Sequence, residues 1–278
     1  MRKPSLFSAC SAAFNFIFID QYGVLHDGQR SYPGAVDALS ELKARGTRVV
    51  ILSNSGRSGE ANARRMERLG FARDLYDHFL TSGDVAKAAL LDGELPAKPG
   101  PATRCLTISS SSEHDLADAL GFTIAHDGAQ ADLVIISGSQ GDRVSLDAYE
   151  RQIAPAARRQ TPCLCTNPDK LMLTSEGTHP GAGAIAALYE QRGGVVRWIG
   201  KPYPEIYAVA ARLVGSPAPN EVLCIGDSIE HDIVGAHRFG AAAALVRTGI
   251  LADLSESELA IECAKHGVAP DVILRGFA

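Results

Sequence analysis

A chain of 278 residues is nearly twice the roughly 150 residues of one typical domain, so one large or two modest domains are expected, and either can bury a real core. Lysine plus arginine number 27 against 32 acids, a formal net charge of -5, and no basic run offers the electrostatic footprint of a nucleic-acid binder. Hydrophobic residues at 46% and charged residues at 21% match an ordinary globular protein and exclude disordered, collagenous and disulfide-stapled classes.

No apolar run approaches the ~20 residues that span a bilayer, so no membrane partner is expected. The start, Met1-Arg-Lys-Pro-Ser-Leu-Phe-Ser-Ala-Cys10, mimics a secretory signal, but its apolar segment is short and broken by serines, and a cytoplasmic protein is expected. Six cysteines without regular spacing point to reduced thiols. Cys163 and Cys165 alternate within Pro162-Cys-Leu-Cys-Thr166 and belong on one face of a strand; no second ligand pair accompanies them as zinc would require.

Short apolar runs alternate with helical patterns, the signature of βαβ units and a parallel sheet. Phe14 to Asp20 reads as a buried strand, and Pro33 opens a helix with Val36, Leu39 and Leu42 on one face and Gly46 at its end. A strand follows over 47–53, then helices over 58–70 and 82–91. Asp92-Gly-Glu-Leu-Pro-Ala-Lys-Pro-Gly-Pro101 is a loop or part of a domain junction. A second α/β set comes next, with strands over 104–108, 133–137 and 162–166 and helices over 113–120 and 146–159. Gly177-Thr-His-Pro-Gly-Ala-Gly183 punctuates the chain, after which the first rhythm resumes: helix 184–191, strand 195–199, helix 204–213, strand 221–225, helix 229–239 and strand 242–246. An α/β domain with a second α/β domain inserted fits this order.

Two strands end alike, Ile17-Phe-Ile-Asp20 and Leu223-Cys-Ile-Gly-Asp227. In open α/β folds the ligand crevice lies outside the carboxyl ends of the strands, so Asp20 and Asp227 can converge there although they are about 200 residues apart. Two such carboxylates call for a hard divalent ion such as Mg²⁺, which brings phosphate into its coordination shell, unless each merely caps the following turn. The strand before Ser53-Asn54-Ser55-Gly-Arg57 delivers hydroxyl, amide and backbone donors just ahead of a helix, an arrangement suited to phosphate and equally common in plain turns. Lys201, in Gly200-Lys-Pro-Tyr-Pro204, stands where its ammonium can face an anion or simply water. Asp232 lies one turn into the helix after Asp227 and can face the metal or act as a first-turn acid.

Taken together, Asp20-Gln-Tyr-Gly-Val24, Ile51-Leu-Ser53-Asn, Gly200-Lys201-Pro and Gly226-Asp227-Ser-Ile-Glu-His-Asp232 resemble, in order, the four motifs of the haloacid dehalogenase superfamily. The expected insertion, with Thr166-Asn-Pro-Asp169 and His179-Pro-Gly-Ala-Gly183, is similar to the class IIA branch that includes the NagD-type phosphatases. The resemblance implies a Rossmann-like core over 1–83 and 177–278 and a class II cap over 84–176. It implies a hydrolase of a small phosphorylated metabolite in which Asp20 attacks phosphorus and forms an aspartyl-phosphate. Mg²⁺ would be held by Asp20, the backbone carbonyl of Tyr22 and Asp227, with Asp232 supporting its shell, while Ser53, Asn54, Ser55 and Lys201 hold the phosphoryl oxygens. Capped phosphatases of this class often pair through their caps, so the resemblance leaves both a monomer and a homodimer through the cap open. Asn167 and Asp169 are substrate contacts by the same resemblance, or Asx-type turn residues.

One position departs from the pattern. Phosphatases of the superfamily carry a second aspartate two residues after the nucleophile, to protonate the leaving oxygen and later activate water; here that position is Tyr22. General acid-base catalysis contributes roughly 10²- to 10⁴-fold, and a phenol near its usual pKa of about 10 is a poor base at neutral pH. Tyrosine at this position resembles the dehalogenase branch, in which aspartate attacks carbon and displaces halide. Phosphatase, carbon-halogen hydrolase and silent phosphometabolite binder are therefore the three readings, the first favoured by Lys201, Asp227 and Asp232. His26, expected in an exposed loop, and Asp27 offer other routes for the proton.

Overall fold

The computed structural model describes residues 6–95, 97–111, 114–174 and 177–278. Met1 to Ser5 of the signal-like start, Glu113 at the head of an expected helix and Glu176 at the expected domain border lie outside them. No helix among the described residues is long and apolar enough to cross a membrane, and all six cysteines are free thiols.

Among the described residues the strands are, in chain order, β1 Phe16–Ile19, β2 Arg48–Ser53, β3 His78–Thr81, β4 Arg104–Ile108, β5 Thr123–Ile124, β6 Leu133–Ile136, β7 Cys163–Cys165, β8 Leu171–Thr174, β9 Gly177–Pro180, β10 Val196–Trp198, β11 Val222–Gly226, β12 Ala242–Val246 and β13 Val272–Leu274. The chain divides into two compact units, one built from Met1–Ser53, Glu60–Leu80 and Lys201–Ala278, the other from Asn54–Gly59 and Thr81–Gly200.

The first unit carries a six-stranded sheet in the order β13-β12-β11-β1-β2-β3. From β13 to β2 every pairing is parallel, and β1 lies between β11 and β2 with Ile19 opposite both Ile225 and Ile51. Parallel strands covered on both faces read as continuous apolar runs, and β2 and β11 are buried nearly throughout. Ile17, Ile19, Val49, Ile51, Leu223 and Ile225 pack on one face against Leu39, Leu42 and Met66. On the other face Phe18 meets Phe239, which stacks on Tyr207 at 5.6 Å.

The second unit has a five-stranded parallel sheet, β10-β7-β6-β4-β5, and a separate antiparallel hairpin, β8-β9. Cys163 and Cys165 both enter its core beside Val134, Ile136, Ile153 and Tyr189.

Several elements differ from expectation. The rhythm resuming after residue 177 continues the second unit: β10 pairs with β7, Val196 opposite Cys163, and helix Ala182–Gln191 packs in the same core. Periodicity announces a strand but does not say which sheet receives it. The single helix expected over 229–239 is a wide π turn, Ile229–Ile233, leading into helix Val234–Phe239. Ser228 caps the wide turn: its Oγ accepts the His231 N–H at 3.2 Å, and its own N–H donates to Asp232 Oδ2 at 3.1 Å. Strands β3, β5 and β13, the β8-β9 hairpin and helix Glu256–His266 were not anticipated from pattern.

Candidate functional site

Adjacency of β1 and β11 is what brings Asp20 and Asp227 together. The Asp20 N–H donates to Ile225 O at 2.9 Å, so each carboxylate leaves its strand at the same end of the sheet. The π turn then carries Asp232 back to them. One carboxylate oxygen from each of Asp20, Asp227 and Asp232 lies within 4.8 Å of the others. Lys201 closes the group, its Nζ 2.8 Å from Asp20 Oδ1 and 2.7 Å from Asp232 Oδ1, with the lysine side chain 4% exposed.

Burial opposes the Lys201 charge, but the Asp20 and Asp232 carboxylates outweigh it and raise the lysine well above its ordinary value. Asp227 goes the other way for an acid. Burial first, then the charges of Asp20 and Asp232, push it well above the usual carboxylate range, although the Ile250 N–H donates to its Oδ2 at 2.9 Å. Three carboxylates against one ammonium leave two formal negative charges in a nearly dry crevice. A hard divalent cation answers that donor set and would relieve the pressure on Asp227.

Glycine makes the crowding feasible. Gly249 has φ +72, and a Cβ there would stand 2.0 Å from Asp227 Oδ2 and 2.6 Å from Gly23 Cα. At Gly226 a Cβ would meet Asp232 Cγ at 2.0 Å. Any side chain at either position would displace a carboxylate.

Ser53 ends β2 with 4% of its surface exposed and accepts a hydrogen bond from Gln21 Nε2 at 2.7 Å. Asp20, Ser53, Lys201, Asp227 and Asp232 therefore belong to one unit. Asn54 and Ser55 fall in the other. There Asn54 Nδ2 donates to Asp169 Oδ1 at 2.9 Å, and Ser55 O accepts from Ser82 Oγ at 3.1 Å. Asn167 Oδ1 accepts the Asp169 N–H at 3.2 Å, an Asx-type turn.

Tyr22 is 37% exposed, its ring edge-on to His26 at 5.8 Å between centroids. Burial, then Asp27, raise the phenol above its ordinary value, so it is protonated at neutral pH. The expectation of an exposed His26 is overturned: the residue is 1% exposed. Burial and then the Arg65 guanidinium lower it to about 4, and its Nδ1 accepts the Gly28 N–H at 2.9 Å. A buried, neutral, hydrogen-bonded ring is a structural group. Asp27 Oδ1 takes the N–H groups of Gln29 and Arg30 at 2.8 and 2.7 Å, which hold its carboxyl below the usual range. Sequence reasoning passed over Gln21, Asn62 and the crowding glycines; Gly226 beside Asp227 was the available signal, whereas nothing local marks Gln21 as buried.

The first unit is thus a parallel-sheet core with ionisable side chains gathered at the carboxyl ends of β1 and β11, and its class is given by similarity to known proteins. The model of haloacid dehalogenase-like hydrolases matches residues 17–123, and a second, HAD-hydrolase-like model matches 198–273. The chain belongs to the haloacid dehalogenase-like hydrolases. It is 28% identical to rat chronophin over 94% of this chain and 85% of that one. It is also 28% identical to the D-glycerol 3-phosphate phosphatase of Mycobacterium tuberculosis, over 84% of this chain and 63% of that one. Among solved structures, a haloacid dehalogenase-like hydrolase from Brucella suis superposes with a TM-score of 0.81 at 27% identity, covering 99% of this chain and 100% of that one.

Proposed function

We propose that this hydrolase is a Mg²⁺-dependent phosphatase of a small phosphate monoester, working through an aspartyl-phosphate on Asp20. The observation that carries the reading is the buried Lys201 ammonium bridging Asp20 and Asp232, with Asp227 within 4.8 Å. A carbon-halogen displacement needs no such surplus of carboxylates around a cation. Relatives whose names record phosphatase activity support the same class. On this reading the first unit is the catalytic core and the second the inserted cap.

Asp20, Asp227 and the backbone carbonyl of Tyr22 would hold Mg²⁺, with Asp232 behind them. The bound cation supplies charge screening between carboxylate and phosphate and a Lewis acid for the phosphoryl oxygens. Lys201 holds the Asp20 carboxylate by one oxygen and leaves the other to attack, while its own charge faces the incoming phosphoryl group. Ser53 adds a hydroxyl donor. An Asp20 oxygen then bonds phosphorus, the ester P–O bond breaks, and the leaving oxygen takes a proton. Tyr22, protonated at neutral pH, suits that donation but cannot then act as a base toward water. Hydrolysis of the aspartyl-phosphate is thus the slow half.

Stopped-flow measurement with p-nitrophenyl phosphate and Mg²⁺ tests this: a burst of one p-nitrophenol per site should precede slow turnover, and EDTA should abolish both. Tyr22→Asp should raise the steady-state rate by roughly 10²-fold. Turnover indifferent to EDTA would overturn the proposal.

A further inference from the structure

We infer that Gln21 is a positioning residue that turns the Ser53 hydroxyl outward as a hydrogen-bond donor to the phosphoryl group; this rests on the phosphatase reading above. Gln21 occupies the position between Asp20 and Tyr22 and is 7% exposed. Its Nε2 donates to Ser53 Oγ at 2.7 Å and to Asn62 Oδ1 at 3.2 Å, so both amide protons are engaged inside the protein. Gln21 therefore acts on a ligand only through its neighbours.

The direction of that amide is set from behind. His26 Nδ1 accepts the Gly28 N–H at 2.9 Å, which assigns the proton of the neutral ring to Nε2. Nε2 faces Gln21 Oε1 across a long 3.5 Å contact, so Oε1 points to the histidine and the NH₂ group to Ser53 and Asn62. A flipped amide would set carbonyl against Ser53 Oγ and NH₂ against a ring N–H.

The consequence falls on Ser53. A hydroxyl at a strand end can turn back onto local backbone carbonyls. With a lone pair of Oγ held by the Gln21 amide, the Ser53 proton is directed elsewhere, and among the described residues no acceptor takes it. Ser53 closes the strand that neighbours β1, so the donor emerges beside the nucleophile. A neutral amide provides this orientation without adding charge next to three carboxylates. A carboxylate at the same place would accept the Ser53 proton and turn the hydroxyl inward.

Steady-state kinetics on p-nitrophenyl phosphate with Mg²⁺, and inorganic phosphate as competitive inhibitor, read the proposal in Gln21→Met, Gln21→Glu, Ser53→Ala and the two double variants. Each single variant should raise KM and the phosphate Ki by about 10-fold with kcat changed less than about 3-fold. In the Ser53→Ala background either Gln21 substitution should add less than about 2-fold, because the hydroxyl it directs is gone. Melting curves identify a variant that fails to fold, in which case the other Gln21 substitution carries the cycle. Multiplicative effects in the double variants, or an unchanged Ki beside a lowered melting temperature, would overturn the inference and leave the phosphatase reading standing. If the wild type binds phosphate calorimetrically but releases none from esters, the phosphatase reading fails, and the same cycle is read from phosphate Kd. A wild type that neither binds phosphate nor turns over overturns both.

Discussion

Both units are open parallel sheets, yet their strand ends differ in chemistry. At the carboxyl ends of β1 and β11 three acids and a lysine are packed into a space where glycines 226 and 249 stand in for side chains. Across the ends of β4, β6 and β7 the polar groups close on nearby backbone: Ser137 Oγ donates to Ile108 O at 3.2 Å, Cys165 Sγ to Asn167 O at 3.2 Å, and Ser82 Oγ to Thr166 O at 2.5 Å. Parallel strand pairing is shared; the excess charge is not. A fold offers the crevice, and a site exists only where unsatisfied charge is held in it against the cost of burial.

The comparison is broken most severely at the nucleophile. Asp20→Asn should lower phosphate release from p-nitrophenyl phosphate by at least ~10⁴-fold while the chain stays folded by circular dichroism. Residual activity within tenfold of wild type would remove Asp20 from the reaction. Lys201→Met comes next, because it leaves half-buried Asp20 and buried Asp232 without the ammonium they share. Unfolding in urea should report a loss of about 3–5 kcal/mol, largely restored by millimolar Mg²⁺ if the cation neutralises the same carboxylates.

His26 gives a smaller, pH-dependent effect. Burial lowers its folded pKa to about 4 from the ordinary 6.5, so between pH 6.5 and 4 the unfolded chain binds a proton that the folded chain refuses. Stability therefore falls as pH drops through that window, by about 3 kcal/mol in total, and is undisturbed above it. Urea midpoints at pH 7.5 and 4.5 for wild type and His26→Gln measure this, and an equal loss in both chains would assign the acid sensitivity elsewhere. In the second unit Cys163→Ala should cost only about 1 kcal/mol and leave the Mg²⁺ dependence of turnover unchanged, since the thiol merely fills that core.

Asp20, Lys201 and Asp227 were legible in the chain because each follows an apolar run ending at a turn, and Asp232 because it lies one turn beyond Asp227; with Ser53 they fall in one unit. Asn54 was less legible: its neighbour Ser53 closes a strand of the first sheet, whereas its own amide turns to Asp169, 115 residues away. His26 sits in a turn-rich stretch that reads as exposed, but Gly28 and Gln21 fold over it.

Local patterning of the sequence alone determined the α/β class, the positions of most strands and which side chains stand at their ends, because apolar runs, caps and turn residues act over a few positions. Only the tertiary structure decided that β10 joins β7, that the turn after Asp227 widens to return Asp232, and that Gln21 is buried against Ser53 and Asn62. Those outcomes depend on strand pairing and desolvation between residues distant in sequence, which no local pattern encodes.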